Sequence, residues 1–188
     1  MIRRRSPANH VTTAMEAPAL TDLIHRHAGL IHRIAGAYCR DAADREDVVQ
    51  EIAVQLWRAH DRYDARYRES TWVYRIALNV AISFQRRERR HRQGRVAGEQ
   101  HLIALAAPQA AEPGEDVQRL LDCIAELGAL DKALVLLYLD GNDHGSIADV
   151  LGISVSNVGT KLLRIKDRLR VALEARARAN PEERHAAR

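Results

Sequence analysis

Lysine is nearly missing from this 188-residue chain, which has three lysines against 26 arginines. With 25 acidic residues the formal charge is only +4, so the total says little and the choice of cation says more. Arginine presents a planar, permanently charged fork that pairs with phosphates and base edges, which makes nucleic acid an early candidate partner. Cysteine is scarce too. Cys39 and Cys123, 84 positions apart, offer neither a disulfide framework nor a CxxC metal knuckle, and are expected to be small buried hydrophobes in a reducing compartment. No apolar run approaches the ~18 residues of a membrane span. The N-terminal MIRRRSPANHVTT has no hydrophobic stretch behind its arginines, so neither membrane insertion nor a signal peptide is expected and the cytoplasm is the expected location. A GxxxxGK[ST] phosphate loop is also lacking. The length leaves room for one medium domain or two small ones, and little for a large enzyme.

What is present becomes informative once the charge is divided along the chain. Residues 1–19 carry +2, residues 20–95 carry +5, residues 96–140 carry −6 and residues 141–188 carry +3. Two basic modules flank an acidic middle. Residues 94–116 are rich in Ala, Gly and Pro with weak periodicity, the composition of a flexible linker. On both sides the apolar spacing is helical and no period-two run is long enough for a sheet, so the expected fold is all-α: two small helical domains joined by a linker. The expected division is a tail at 1–19, a domain at 20–95, a linker at 96–116, a second domain at 117–175 and a tail at 176–188. Leu20, Leu23, Ile24, His27, Ile31, Ile34, Ala35 and Tyr38 trace one face of a first helix. Asp41 and Asp44 suit the positive end of a second, whose core face is Val48, Val49, Ile52 and Leu56. Ser70 or Thr71 is the expected cap of a third.

At about 100° per residue, Val73, Ile76, Ala77, Val80 and Phe84 form the core stripe of that third helix. Trp72, Arg75, Asn79, Ser83, Arg86 and Arg90 form a second stripe. Guanidiniums neutralise phosphates, an aromatic face stacks an unpaired base, and an amide bonds a base edge, so this stripe has the parts of a surface that captures single-stranded nucleic acid. Tyr63, Tyr67 and Tyr74 lie nearby in sequence. The blander readings are a partly buried Trp anchor and a solvated, basic helix end. On the second helix, Asp44, Asp47, Gln50, Glu51 and Arg58 gather opposite the core. No companion His or pocket loop supports catalysis there, and a docking face for a partner is the better reading. The pair His25 and His27 points its rings apart on a helix and is not expected to hold a metal.

Helices are expected after the linker at 117–127, 130–139, 146–151 and 155–173. Gly152 follows Leu151 where a left-handed residue ends a helix. Ile147, Ala148 and Leu151 would pack on Val158, Leu162 and Ile165, with Ser154 as a cap. This is a helix-turn-helix, the unit that lays its second helix in the major groove. Ser156, Asn157, Thr160 and Lys161 stand near the start of that helix, with Arg164, Lys166 and Arg168 further along, a density of cations that favours the DNA backbone.

Three motifs, DVVQE at 47–51, TWVYRIALN at 71–79 with the arginines behind it, and IADVLGIS at 147–154 followed by KLLRIK at 161–166, occur in this order. The chain thereby resembles the extracytoplasmic-function (ECF) group of bacterial sigma-70 type RNA polymerase sigma factors over about residues 20–95 and 117–173. The resemblance implies a promoter-specificity subunit with no catalysis and no cofactor. Residues 20–95 would bind the polymerase clamp through Asp44, Asp47, Gln50 and Glu51. They would melt and capture the minus-ten element through Trp72, Tyr74, Arg75, Asn79, Ser83, Arg86, Arg87 and Arg90. Residues 117–175 would read the minus-thirty-five element through Ser156, Asn157, Thr160, Lys161, Arg164 and Lys166. The implied partners are core RNA polymerase, at the clamp and flap of its large subunits, promoter DNA in double- and single-stranded form, and an anti-sigma factor. Gly159 stands where the family often has Lys or Arg, and Asn142 and Gly145 where an apolar and an acidic residue are common. The competing reading is a stand-alone helix-turn-helix regulator whose N-terminal half binds a ligand or dimerises.

Overall fold

The computed structural model describes residues 17–93 and 114–179. Most of the expected linker and most of both expected tails lie outside the described residues. All regular elements among those described are helical: α1 (Ala17–Arg26), α2 (Ala28–Tyr38), α3 (Ala42–Ala59), α4 (Glu69–Gln93), α5 (Glu115–Ala125), α6 (Ala129–Leu139), α7 (His144–Leu151) and α8 (Val155–Ala179), with a 3₁₀ turn at His60–Arg62.

The single first helix expected from apolar spacing is two helices. His27 leaves helical geometry at φ −103°, ψ 10°. Yet its N–H still reaches Leu23 O and its carbonyl still accepts from Ile31 N, both at 3.0 Å. The break is a kink beside Gly29, a weak helix former, and Leu20, Leu23, Ile31 and Ile34 stay buried on one side of it. α3 begins as the sequence suggests, with the Asp41 carboxylate accepting from Ala43 N at 3.0 Å, a cap worth about 1 kcal/mol. Ser70 and Thr71 do not cap α4. The helix starts at Glu69, and Trp72 N already bonds Arg68 O at 3.2 Å, because Asp64 closes the preceding turn by accepting from Tyr67 N and Arg66 N, each at 3.0 Å.

In the C-terminal half, α7 begins at His144, ahead of the expected start at 146, because Asp143 is its cap: the carboxylate accepts from Ser146 N at 2.8 Å. Those contacts also hold the Asp143 carboxyl below its usual range. Gly152 ends α7 at φ +67°, and both Gly152 N and Ile153 N return to Ala148 O, at 2.8 and 3.2 Å, the pairing that closes a helix on a left-handed residue. α8 runs past the expected 173 to Ala179.

One continuous core joins the halves. Val48, Ile52, Leu56, Val73 and Ala77 fill it under α2, α3 and α4, and Ile124, Leu134, Leu137, Ile147, Val158, Leu162 and Ile165 fill it under α6, α7 and α8. Polar contacts fasten α6 to the N-terminal half at both ends. At its start, Lys132 Nζ donates to Ala37 O at 3.0 Å and Tyr38 Oη donates to Ala129 O at 2.7 Å. Lys132 thus covers a C-terminal carbonyl of α2, where the helix dipole favours a cation. Burial, with Arg89 and Arg40 nearby, still pushes its ammonium down to about 8.

Nothing lies within 4 Å of a Cβ added at Gly152, so only the left-handed backbone opposes a side chain there. Gly152→Ala is expected to cost about 1 kcal/mol, measured as a lower urea midpoint at unchanged m-value.

Candidate nucleic-acid interface

The α4 stripe divides into two parts with different surroundings. Its distal part is open. Asn79, Ser83, Arg86, Arg87 and Arg90 line one wall of a shallow groove of about 510 Å³. Glu51, Gln55 and Ala59 of α3 form the other wall, with Ile76 and Val80 at the floor. Asn79, Ser83, Arg86, Arg87 and Arg90 are all exposed, and none of the three arginines pairs with a carboxylate among the described residues. Unneutralised guanidiniums beside an amide and an apolar floor suit a phosphate backbone with an unstacked base. Glu51, grouped from sequence with the partner-docking face, lies in this groove and accepts from Gln55 Nε2 at 2.6 Å.

The proximal part of the stripe is engaged. Trp72 is half-buried, its ring 5.3 Å from that of Tyr63 and tilted by 57°. Tyr63 Oη donates to Tyr67 O at 3.0 Å, and the Arg75 guanidinium lies 4.7 Å from the centre of the Tyr67 ring. The loop before α4 is thereby folded back on the helix start as an aromatic cluster. Burial, then Glu69 and Asp64, push the Tyr63 phenol up. Arg75 also donates Nε and Nη2 to Asp149 O on α7, at 2.9 and 2.5 Å. Tyr74 is not on the exposed edge at all: it is 4% exposed and donates to Asp140 Oδ2 at 2.5 Å. Burial first, and that carboxylate second, push its phenol up to about 12.

The helix-turn-helix presents Ser156, Asn157, Thr160 and Arg164 to solvent, with Lys161 half-buried. Ser154 Oγ accepts from Asn157 N at 3.3 Å, and Thr160 Oγ1 donates to Ser156 O at 3.0 Å. Lys166 turns away from the first turns: its Nζ donates to Tyr138 Oη at 3.1 Å and sits 4.4 Å from that ring's centre. Asn142 ends α6 by donating Nδ2 to Leu137 O at 2.9 Å, after Gly141 at φ +78°. This gives the polar residue there a structural reason.

On α3, Asp47 and Gln50 are exposed. Asp44 departs from them and lines a cavity of about 150 Å³ between α2, α4 and Lys132. Cys39 lies in the same cavity, its thiol pushed up to about 12 by burial and then by Asp44. Sequence reasoning missed Val54 and Trp57, which are 39% and 60% exposed and continue the line of Asp47 and Gln50 along α3. The signal was a Trp seven residues from Gln50, two turns along one face, off the apolar stripe.

This all-helical architecture, with an arginine-lined groove in one half and a helix-turn-helix in the other, defines a two-module transcription factor. The Sigma-70 region 2 family matches residues 23–91, and the Sigma-70, region 4 family matches residues 117–169. RNA polymerase sigma factor CnrH of Cupriavidus metallidurans is 31% identical over 169 residues, covering 84% of this chain and 87% of CnrH. ECF RNA polymerase sigma factor SigL of Mycobacterium tuberculosis is 30% identical over 168 residues, covering 86% and 92%. ECF RNA polymerase sigma factor SigE of Mycolicibacterium smegmatis is 25% identical over 157 residues, and the matched part is 61% of its length. Among solved structures, the sigma factor RpoE in complex with the anti-sigma factor NepR from Bartonella quintana superposes with a TM-score of 0.68 at 18% identity, covering 82% of this chain and 96% of RpoE. CnrH in complex with the cytosolic domain of CnrY gives 0.61 at 23% identity, covering 85% and 90%. The chain belongs to the ECF RNA polymerase sigma factors.

A Cβ added at Gly159 would meet only the His144 ring, at 3.8 Å, an ordinary contact. Gly159→Ala is expected to stabilise the protein by about 1 kcal/mol, measured as a higher urea midpoint.

Proposed function

We propose that this sigma factor docks on core RNA polymerase through the exposed side of α3, captures the unpaired strand of the minus-ten element in the groove between α3 and α4, and reads the minus-thirty-five duplex with the first turns of α8. One observation carries the reading: Arg86, Arg87 and Arg90 stand without carboxylate partners among the described residues, beside Asn79 and Ser83, along one open groove. A row of guanidiniums along an open groove suits an extended polyanion better than a dimer seam. Asp47, Gln50, Val54 and Trp57 give the clamp an acidic surface with an apolar end. Ser156, Asn157, Thr160, Lys161 and Arg164 face the major groove, and the C-terminal half approaches the flap.

The energetics need no catalysis. Unstacking bases costs a few kcal/mol, and stacking on aromatics returns about 1–3 kcal/mol per base. Tyr63, Tyr67 and Trp72 supply rings, and the arginine row supplies phosphate contacts. Fixing both DNA-reading halves on one polymerase makes the second contact intramolecular, so the pair of elements is selected far more strongly than either alone. On this reading the protein is no enzyme and works in the cytoplasm, where the polymerase is. An anti-sigma partner belongs to the same proposal, because both solved relatives named above are complexes with one or with a partner domain.

Promoter opening by core polymerase with the full chain tests the proposal. Asn79→Ala is expected to leave duplex binding within about twofold and to lower permanganate reactivity of minus-ten thymines about tenfold, the loss of one base contact. Asp47→Arg is expected to abolish co-purification with core polymerase at unchanged circular dichroism. Tight autonomous binding to a duplex operator, with no association of the unsubstituted chain with core polymerase, would overturn the reading in favour of a stand-alone regulator.

A further inference from the structure

The cavity beside Cys39 gathers cations that the proposed function does not use. It encloses about 150 Å³ between the end of α2, the distal half of α4 and the start of α6, and shares no lining residue with the α3–α4 groove. Three cations stand on it from separate places in the chain: Arg40 follows α2, Arg89 lies on α4 and Lys132 on α6. Lys132 is 1% exposed. One of its three N–H donors goes to Ala37 O at 3.0 Å, and the Tyr38 ring lies 5.2 Å away. Neither Arg40 nor Arg89, both exposed, pairs with a carboxylate among the described residues.

Asp44 and Glu88 also line the cavity, but the charge is divided between its two sides. Burial, then Asp44 and Glu88, push the Cys39 thiol up, whereas burial, then Arg89 and Arg40, push the Lys132 ammonium down. The carboxylates therefore bear on the thiol side, and the lysine side is cationic.

We propose that the lysine side of this cavity binds a phosphate group, free or at the end of a small molecule, on Lys132, Arg89 and Arg40. A guanidinium fork pairs its donors with two phosphate oxygens, and an ammonium acts as a point charge. Three converging cations match a group of charge about −2 better than chloride or a single carboxylate. The volume admits one such group, and any remainder of the molecule extends past the exposed arginines. The gain is greatest at Lys132: an ammonium taken out of water beside two like charges is costly, and an anion restores charge-assisted hydrogen bonds to its spare donors. The site is independent of the promoter-reading function and lies apart from the proposed path of the DNA strand.

The scarcity of lysine supplies the test. Lys132, Lys161 and Lys166 are the only lysines, so the full chain labelled with carbon-13 at lysine Cε gives three magnetic-resonance signals, and Lys132→Met identifies the buried one. Inorganic phosphate is titrated against sodium chloride at equal ionic strength. Phosphate is expected to shift the Lys132 signal saturably and to raise its titration midpoint by about one pH unit, the mark of a new anionic neighbour, with chloride doing neither. Arg89→Gln is expected to weaken phosphate about tenfold, the loss of a charged hydrogen bond, while Arg86→Gln in the groove leaves it unchanged. Adenosine monophosphate separates the two sources: tighter binding than phosphate assigns a phosphorylated small molecule, and weaker binding assigns the free ion. A Lys132 signal that ignores both ligands, or that answers chloride equally, would overturn the site. Phosphate binding lost in Arg86→Gln and kept in Arg89→Gln would overturn it as well, by placing the ion in the groove.

Discussion

The arrangement depends on one helix serving three directions at once. α4 buries Val73, Ala77, Leu78 and Ala81 in the core, and successive side chains are separated by about 100° around the axis. That burial fixes where every other α4 side chain points. Asn79, Ser83, Arg86, Arg87 and Arg90 must then open on the groove with α3, while Tyr74 must face Asp140 at the end of α6 and Arg75 must face Asp149 of α7. Moving the core stripe by one residue would carry the arginine row out of the groove and the Asp140 contact away from α6. The apolar packing of α2, α3 and α4 is therefore the constraint on which both the proposed nucleic-acid surface and the contact between halves rest.

Apolar spacing made much of this legible. Val48, Ile52, Leu56, Val73 and Ala77 are buried as their periodicity requires, and Ile147, Val158, Leu162 and Ile165 close the helix-turn-helix around Gly152. Both features are local: a face repeats within one helix, and a left-handed glycine announces its own turn. What stayed hidden was non-local. Periodicity gives the angle at which Tyr74 leaves α4 but not what waits there, and Asp140 is 66 residues away. The surroundings of Trp72 and Trp57 were hidden in the same way. The first is half-buried against Tyr63, and the second is 60% exposed. The kink at His27 was equally unreadable, because the apolar face continues across it.

Charge follows a similar division. The basic surplus of residues 20–95 is concentrated at the far end of α4, where the helix dipole also favours cations. The acidic middle is partly spent within the protein: Asp131 pairs with Arg168 at 3.0 Å, Glu126 with Arg176 at 2.5 Å, and Asp140 with Arg33 at 3.1 Å. Partly exposed pairs of this kind contribute little to stability one by one. Their effect is on geometry, since they orient α8 against α5 and α6, and α6 against α2. Lys132 is the exception, a buried ammonium satisfied by a main-chain carbonyl rather than a carboxylate.

A division of labour between the α4 groove and the first turns of α8 makes a direct claim about initiation, and transcription in vitro by core polymerase on a genomic library addresses it most directly. RNA starts that depend on this chain should share two short upstream elements at a fixed separation, and should disappear when either element is scrambled. Starts that need only one of the two elements, or no chain-dependent starts at all, would contradict it.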